Sequence, residues 1–197
     1  MNTSEKPSLL LYIHGFNSSP KSLKAQLMIE FCQQNRPDIK VIVPQVSCYP
    51  KAASQQLVQL IESHINDYKI GLVGSSLGGY LSTWLNSRYG LKAALVNPAV
   101  RPYELLVDYL GEQVNPYTDE KYLLETVHMQ ELKALDVTHL TQPDDFWLLQ
   151  QEGDEVLDYR QAVDKYQLSR KTVEPEGDHS FVGFERYPEQ IIQFLEL

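Results

Sequence analysis

The sequence predicts a three-layer α/β fold, a mostly parallel sheet with helices on both faces, and three observations predict it. Short apolar runs alternate with segments of helical periodicity along nearly the whole chain, a pattern that requires parallel strands joined by helical crossovers. The strand-like runs are continuously apolar rather than alternating, as strands covered on both faces are. The 197 residues, 43% hydrophobic and 22% charged, suffice to bury a core without covalent staples.

Residues 8–13 (SLLLYI) form the first expected strand. Asn17 to Pro20 then offer a turn, an N-cap and a Pro for the first helical position, and Leu23, Leu27 and Phe31 follow at helical spacing, so a helix is expected over about 20–34. Residues 40–44 (KVIVP) make the second strand, and Leu57, Leu60, Ile61, His64 and Ile65 mark one face of a second helix. The alternation continues with a strand at 70–73, a Gly- and Ser-rich turn, a helix burying Leu81, Trp84 and Leu85, and a strand at 92–96. Between Pro98 and Pro143 lie two helical patterns, about 102–110 and 119–134, and no comparable strand; this reads as a helical, lid-like insertion at about 98–143 within one domain spanning 1–197. The last strands are 146–150 (FWLLQ) and 171–174, separated by a helix near 158–168, and a C-terminal helix turns Tyr187, Ile191 and Leu195 inward.

Composition narrows the function. Seventeen Lys and Arg against 26 Asp and Glu leave a net charge of −9, which repels a phosphate backbone, so nucleic acid is not an expected partner. No apolar run approaches the ~18 residues of a membrane span. No secretory signal is expected in residues 1–7, and Cys32 and Cys48 make no disulfide framework, so a cytoplasmic location is expected.

Gly74-Ser75-Ser76-Leu77-Gly78 matches G-x-S-x-G and stands where a buried strand ends and a helix opens. A sharp turn there lifts the Ser76 hydroxyl above the sheet; the plainer reading is a turn with Ser76 as N-cap. A serine hydroxyl needs a base within hydrogen-bond reach. Of His14, His64, His128, His139 and His179, only His179 lies beyond the last strand, in 176–180 (EGDHS), at the sheet's carboxyl edge beside Ser76. A carboxylate must orient it and stabilise its charged form. Asp154, in the loop after FWLLQ, is the candidate; Asp158 competes, but an N-cap role explains it.

Acyl transfer also needs two donors for the oxyanion. The backbone N–H of Leu77 and that of Phe16, after the first strand, are the candidates, with His14 a brace for the Phe16 loop. Tyr103, Leu106 and Tyr109, with Tyr117, Tyr122 and Leu124, are more apolar than a solvated loop requires. They either roof a substrate pocket beside Ser76 or pack the insertion onto the sheet. No metal-ligand spacing and no phosphate-binding glycine motif occurs, so no metal and no cofactor is expected.

With these motifs in place, the chain resembles the α/β-hydrolase superfamily, and within it the small bacterial YqiA-like esterases. The likeness rests on LLLYIHGFNSSP, IGLVGSSLGGY, LVNPAV, GDEVLDY and EGDHSF, and spans nearly the whole sequence. It implies a Ser, Asp, His triad in that chain order, falling on Ser76, Asp154 and His179. The two antiparallel strands usual at the superfamily's N-terminus are not expected ahead of residues 8–13, so a reduced, parallel sheet is expected. The resemblance implies hydrolysis of carboxylic esters or acyl-thioesters, with a small-molecule ester or thioester as partner. The alternatives are a non-catalytic binding module on the same fold, or a small peptidase or amidase.

Overall fold

The structure is a computed structural model that describes residues 6–197; the reading of 1–7 as lacking a signal lies outside the described residues as far as residue 5. The strands are β1 (Ser8–Ile13), β2 (Lys40–Ile42), β3 (Lys69–Ser75), β4 (Ala93–Val96), β5 (Gly111–Val114), β6 (Lys121–Leu124), β7 (Phe146–Gln151) and β8 (Arg170–Glu174). Six of them make one sheet in the order β2-β1-β3-β4-β7-β8, parallel at every pairing. The helices are α1 (Leu23–Asn35), α2 (Pro50–Glu62), α3 (Leu77–Tyr89), α4 (Pro102–Leu105), α5 (Thr126–Lys133), α6 (Tyr159–Lys165) and α7 (Pro188–Leu195).

The continuous apolar runs are explained by two cores. On one face Leu9, Leu11, Ile13 and Leu72 pack with Leu57 and Ile61 of α2 and Leu81 and Leu85 of α3. On the other, Leu10, Tyr12, Val73 and Trp147 pack with Met28 of α1 and Ile191 and Leu195 of α7. Successive residues of β1 from Leu9 to Ile13 are therefore all fully buried, although they point to opposite sides. Each such Leu contributes about 1.5–3 kcal/mol on leaving water.

Strand order also places the functional edge. After β1 the chain pairs β2 on one side, then crosses to pair β3 on the other. At such a reversal the loops leaving β1 and β3 diverge and open a crevice at the carboxyl ends of the strands. His14 to Asn17 and Ser76 flank that crevice.

Several expected elements differ in extent. α1 begins at Leu23 with Ser22 as N-cap, not near residue 20. Ser19 Oγ takes the Lys21 N–H (3.0 Å) and its carbonyl takes the Ser22 N–H (3.1 Å), so Pro20 belongs to a separate turn. The segment at 102–110 is α4 followed by a single 3₁₀ turn over Leu106–Tyr109.

The expected helix at 119–134, and with it the absence of strands from 98–143, is a correction. β5 and β6 pair antiparallel, with Glu112 opposite Leu123, and only α5 is helical. The physical reason is a period of two: Tyr122 and Leu124 are buried while Lys121 and Leu123 are exposed. The connection is closed by Asn115, whose N–H reaches Glu120 O (2.9 Å) and whose Oδ1 accepts the Tyr117 N–H (2.9 Å).

Gly78 lies so close to the end of β1 that a Cβ there would stand 1.9 Å from Ile13 O. Gly78→Ala is expected to cost about 3 kcal/mol or more, the upper range for overpacking. Gly90→Ala, at φ +63 with its nearest neighbour 4.0 Å away, should cost only about 1–2 kcal/mol. Urea denaturation of the two variants measures the contrast, and equal losses would show that the β1–α3 approach is not tight.

Candidate active site

β3 ends in a turn that puts Ser76 at φ +54, ψ −119, a backbone region costing a non-glycine residue about 1–3 kcal/mol. The surroundings hold it there. Its N–H donates to Val96 O at the end of β4 (3.1 Å), and its carbonyl accepts from Gly79 (2.9 Å) and Ala99 (3.0 Å). Gly15 runs alongside, where a Cβ would meet Ser76 Cβ at 3.1 Å.

His179 brings Nε2 to 3.1 Å from Ser76 Oγ. On its other side Nδ1 lies 2.8 Å from Asp154 Oδ2 and 3.0 Å from Oδ1. A carboxylate only accepts, so the ring proton sits on Nδ1 and Nε2 is left to accept from the serine hydroxyl. The Asp154 side chain is fully buried, that of His179 23% exposed. Asp154 Oδ1 also takes the N–H groups of Val156 (2.9 Å) and Leu157 (2.8 Å), which fix the carboxylate in the loop after β7. Asp158 stands apart from this array. It caps α6 and pairs with the Arg160 guanidinium (2.8 Å), which holds its carboxyl below the ordinary range.

The Leu77 N–H opens α3, and the Phe16 N–H follows β1. Neither donates to a protein acceptor among the described residues. The two residues line one small recess of about 30 Å³ with Val46, Ala53, Leu81 and Leu132. His14 braces this loop: Nδ1 donates to Gly15 O (2.9 Å) and Nε2 accepts the Val46 N–H (3.0 Å), while burial pushes its pKa down.

The residues expected over the pocket divide. Leu106 is buried in the core, and Tyr103 packs against it with its hydroxyl donating to Asp136 (3.4 Å). Tyr109 meets the Phe16 ring edge-on at 5.7 Å, and the Tyr122 hydroxyl donates to Asn17 Oδ1 (2.7 Å). A cleft of about 310 Å³ exposes Ser76 and His179 between Gly15, Asn17, Tyr117 and Lys24. No group of three or more His, Cys, Asp or Glu among the described residues is arranged to hold a metal.

Residues 9–196 match the profile of a family described as "Uncharacterised protein family (UPF0227)". The chain belongs to this family. Among its UPF0227 relatives, a protein of Shewanella baltica is 29% identical over 100 residues, 49% of this chain and 54% of that one. The chain thus spans about half the length of the curated relatives it matches. Two solved structures show the same fold. Mouse alpha/beta hydrolase domain-containing protein 10 superposes at TM-score 0.73 with 18% identity, covering 98% of this chain and 91% of its own. Est1E from Butyrivibrio proteoclasticus gives 0.73 with 14% identity, covering 99% and 89%. The UPF0227 chain therefore has the α/β-hydrolase fold.

Three residues that position the histidine loop in this UPF0227 chain escape the sequence reading. Buried Asn97, after β4, donates through Nδ2 to Asp178 O (2.9 Å) and His179 O (3.2 Å) and accepts the Gln151 N–H (2.9 Å). Gln151 Oε1 accepts from Asp178 N (3.2 Å) and Val182 N (2.9 Å), and its Nε2 donates to Val182 O and Glu174. Glu155 takes the His179 N–H (2.9 Å). The one available signal was Gln151 itself, a polar residue closing an apolar strand.

Glu174 anchors that network. The Arg186 guanidinium, helped by Tyr187 and Gln151, holds its carboxyl down to about 2 from the usual 4.5. A carboxylate depressed in this way stabilises the fold above its unfolded pKa and stops doing so as pH falls through the folded value. Glu174→Gln should therefore be less stable than the wild type by a margin that is constant above about pH 5. The margin should narrow between pH 4.5 and 2. Denaturation across pH 2 to 7 checks it, and a margin independent of pH would remove Glu174 from the account.

Proposed function

We propose that this protein is a cytoplasmic serine hydrolase that cleaves small carboxylic esters or acyl-thioesters through an acyl-Ser76 intermediate. The observation that carries the reading is the continuous path from buried Asp154 through His179 to the Ser76 hydroxyl, 2.8 Å and 3.1 Å in its two steps. Ser76 Oγ attacks the carbonyl carbon as its proton passes to His179 Nε2, and the carbonyl oxygen becomes an oxyanion between the Phe16 and Leu77 N–H groups. The C–O or C–S bond then breaks, and His179 returns the proton to the leaving alcohol or thiol. Water repeats the sequence on the acyl-enzyme: its proton goes to His179, its oxygen to the carbonyl, and Ser76 leaves with the proton.

In this reading the 98–143 segment is a small lid. It acts through Tyr109, Tyr117 and Tyr122 at the Phe16 loop, while Tyr103 and Leu106 hold it to the core. Asp154 keeps the ring proton on Nδ1 and stabilises the imidazolium. Asp154→Asn is therefore expected to lower kcat about 10²–10⁴-fold in a folded protein, and Asp158→Asn to change it far less. A fluorophosphonate should label wild type and not Ser76→Ala. Absence of labelling of folded protein, or equal labelling of the variant, would overturn the proposal, and a larger loss in Asp158→Asn would move the acid to Asp158.

A further inference from the structure

The cleft over Ser76 contains one cation that this chemistry does not use. Lys24, in the first turn of α1, lines the same cavity of about 310 Å³ as Ser76 and His179. Its Nζ donates to Ser180 O at 2.8 Å, the carbonyl next to His179. An ammonium carries three donors, and this is its single hydrogen bond among the described residues. The bond to Ser180 O orders the side chain and leaves the other two donors of the ammonium without a protein acceptor among the described residues.

Uncharged polar residues, Asn17, Ser18 and Ser22, line the same cleft. Burial pushes the amine pKa down to about 8, opposed at longer range by Asp178 and Asp154, so it carries its charge at neutral pH. In a chain of net charge −9, an anionic substrate meets a repulsive surface and needs a local counter-charge. Position selects the side of the substrate. His179 must hand its proton to the leaving atom, so the leaving group stands over His179, where Lys24 is bonded to the adjoining residue. The acyl group then lies on the other side of the scissile bond, away from His179.

We propose that Lys24 binds a carboxylate or phosphate carried on the leaving alcohol or thiol, so that the site takes esters and thioesters with an anionic leaving group. This rests on the ester-hydrolase reading.

The test compares wild type, Lys24→Met and Lys24→Arg on phenyl acetate, 4-acetoxybenzoate, 4-acetoxyphenyl phosphate and 4-nitrophenyl hydrogen glutarate, the last with its anion on the acyl side. Lys24→Met should lower kcat/KM for the two anionic-leaving-group esters at least about ten-fold more than for phenyl acetate, the effect of one partly buried ion pair. Lys24→Arg should keep most of the preference, and whichever of the two anionic esters loses more identifies the preferred anion. Equal losses on all four esters would reduce Lys24 to a brace for Ser180, and a selective loss on the glutarate ester would put the anion on the acyl side; either overturns the proposal. Should wild type turn over none of the esters, the hydrolase reading fails by itself, and titration of 4-acetoxybenzoate into Ser76→Ala decides the anion site. Binding at least about ten-fold weaker with Lys24→Met added keeps it, while equal binding or none removes it.

Discussion

The carboxyl edge of the sheet is organised by the squeeze between the end of β1 and the start of α3. Only a residue without a side chain fits at Gly78, because the helix begins in contact with the Ile13 carbonyl. That contact forces the β3–α3 turn to be sharp, and the sharp turn is what puts Ser76 at positive φ. The strain is carried by bonds to neighbouring segments: Val96 receives the serine N–H, and Ala99 donates to its carbonyl. The β4 exit is thereby tied to the serine, and Asn97, inside it, is tied in turn to the carbonyls of Asp178 and His179. One close approach is thus linked, through backbone hydrogen bonds and then the Asn97 side chain, to a loop more than a hundred residues away in sequence.

Two kinds of polar group meet at this edge and are treated differently by the fold. Asp154, Asn97 and Gln151 are buried and have their bonding capacity met by protein groups, which spares the large cost of an unpaired buried polar atom. The Phe16 and Leu77 N–H groups and the Lys24 amine belong to residues that line the recess and the cleft, and they have capacity left over among the described residues. The first group sets geometry; the second is what a ligand can use. His14 belongs with the first, since both ring nitrogens are engaged in holding the loop that presents Phe16.

The parallel sheet was legible because its signals are local and redundant. SLLLYI is apolar on both faces because both faces are covered, and the strand–turn–helix at Ser76 writes its own glycines. Chain order alone placed Asp154 and His179 in loops at one edge, and the structure sets them in line with Ser76. The hairpin at Gly111–Leu124 was missed because Tyr122, Leu123 and Leu124 are all apolar, and a short apolar run fits either period until burial shows which residues face inward. The helix over Leu23–Asn35 was misplaced at its start because Pro20 fits a turn as well as a first helical turn. Lys24 was not legible at all: its position in the cleft is a product of how α1 lies against the His179 loop, which no pattern along the chain encodes.

In the proposed function Ser76 Oγ is the atom that takes the acyl group. Acid-quenched intact-mass measurement during turnover of a slowly deacylating ester tests this directly, with peptide mapping to locate the adduct. The expected result is a species heavier by one acyl group, carried on the peptide containing Ser76 and absent from Ser76→Ala. Consumption of the ester with no adduct, or with an adduct elsewhere while Ser76→Ala retains turnover, would contradict it.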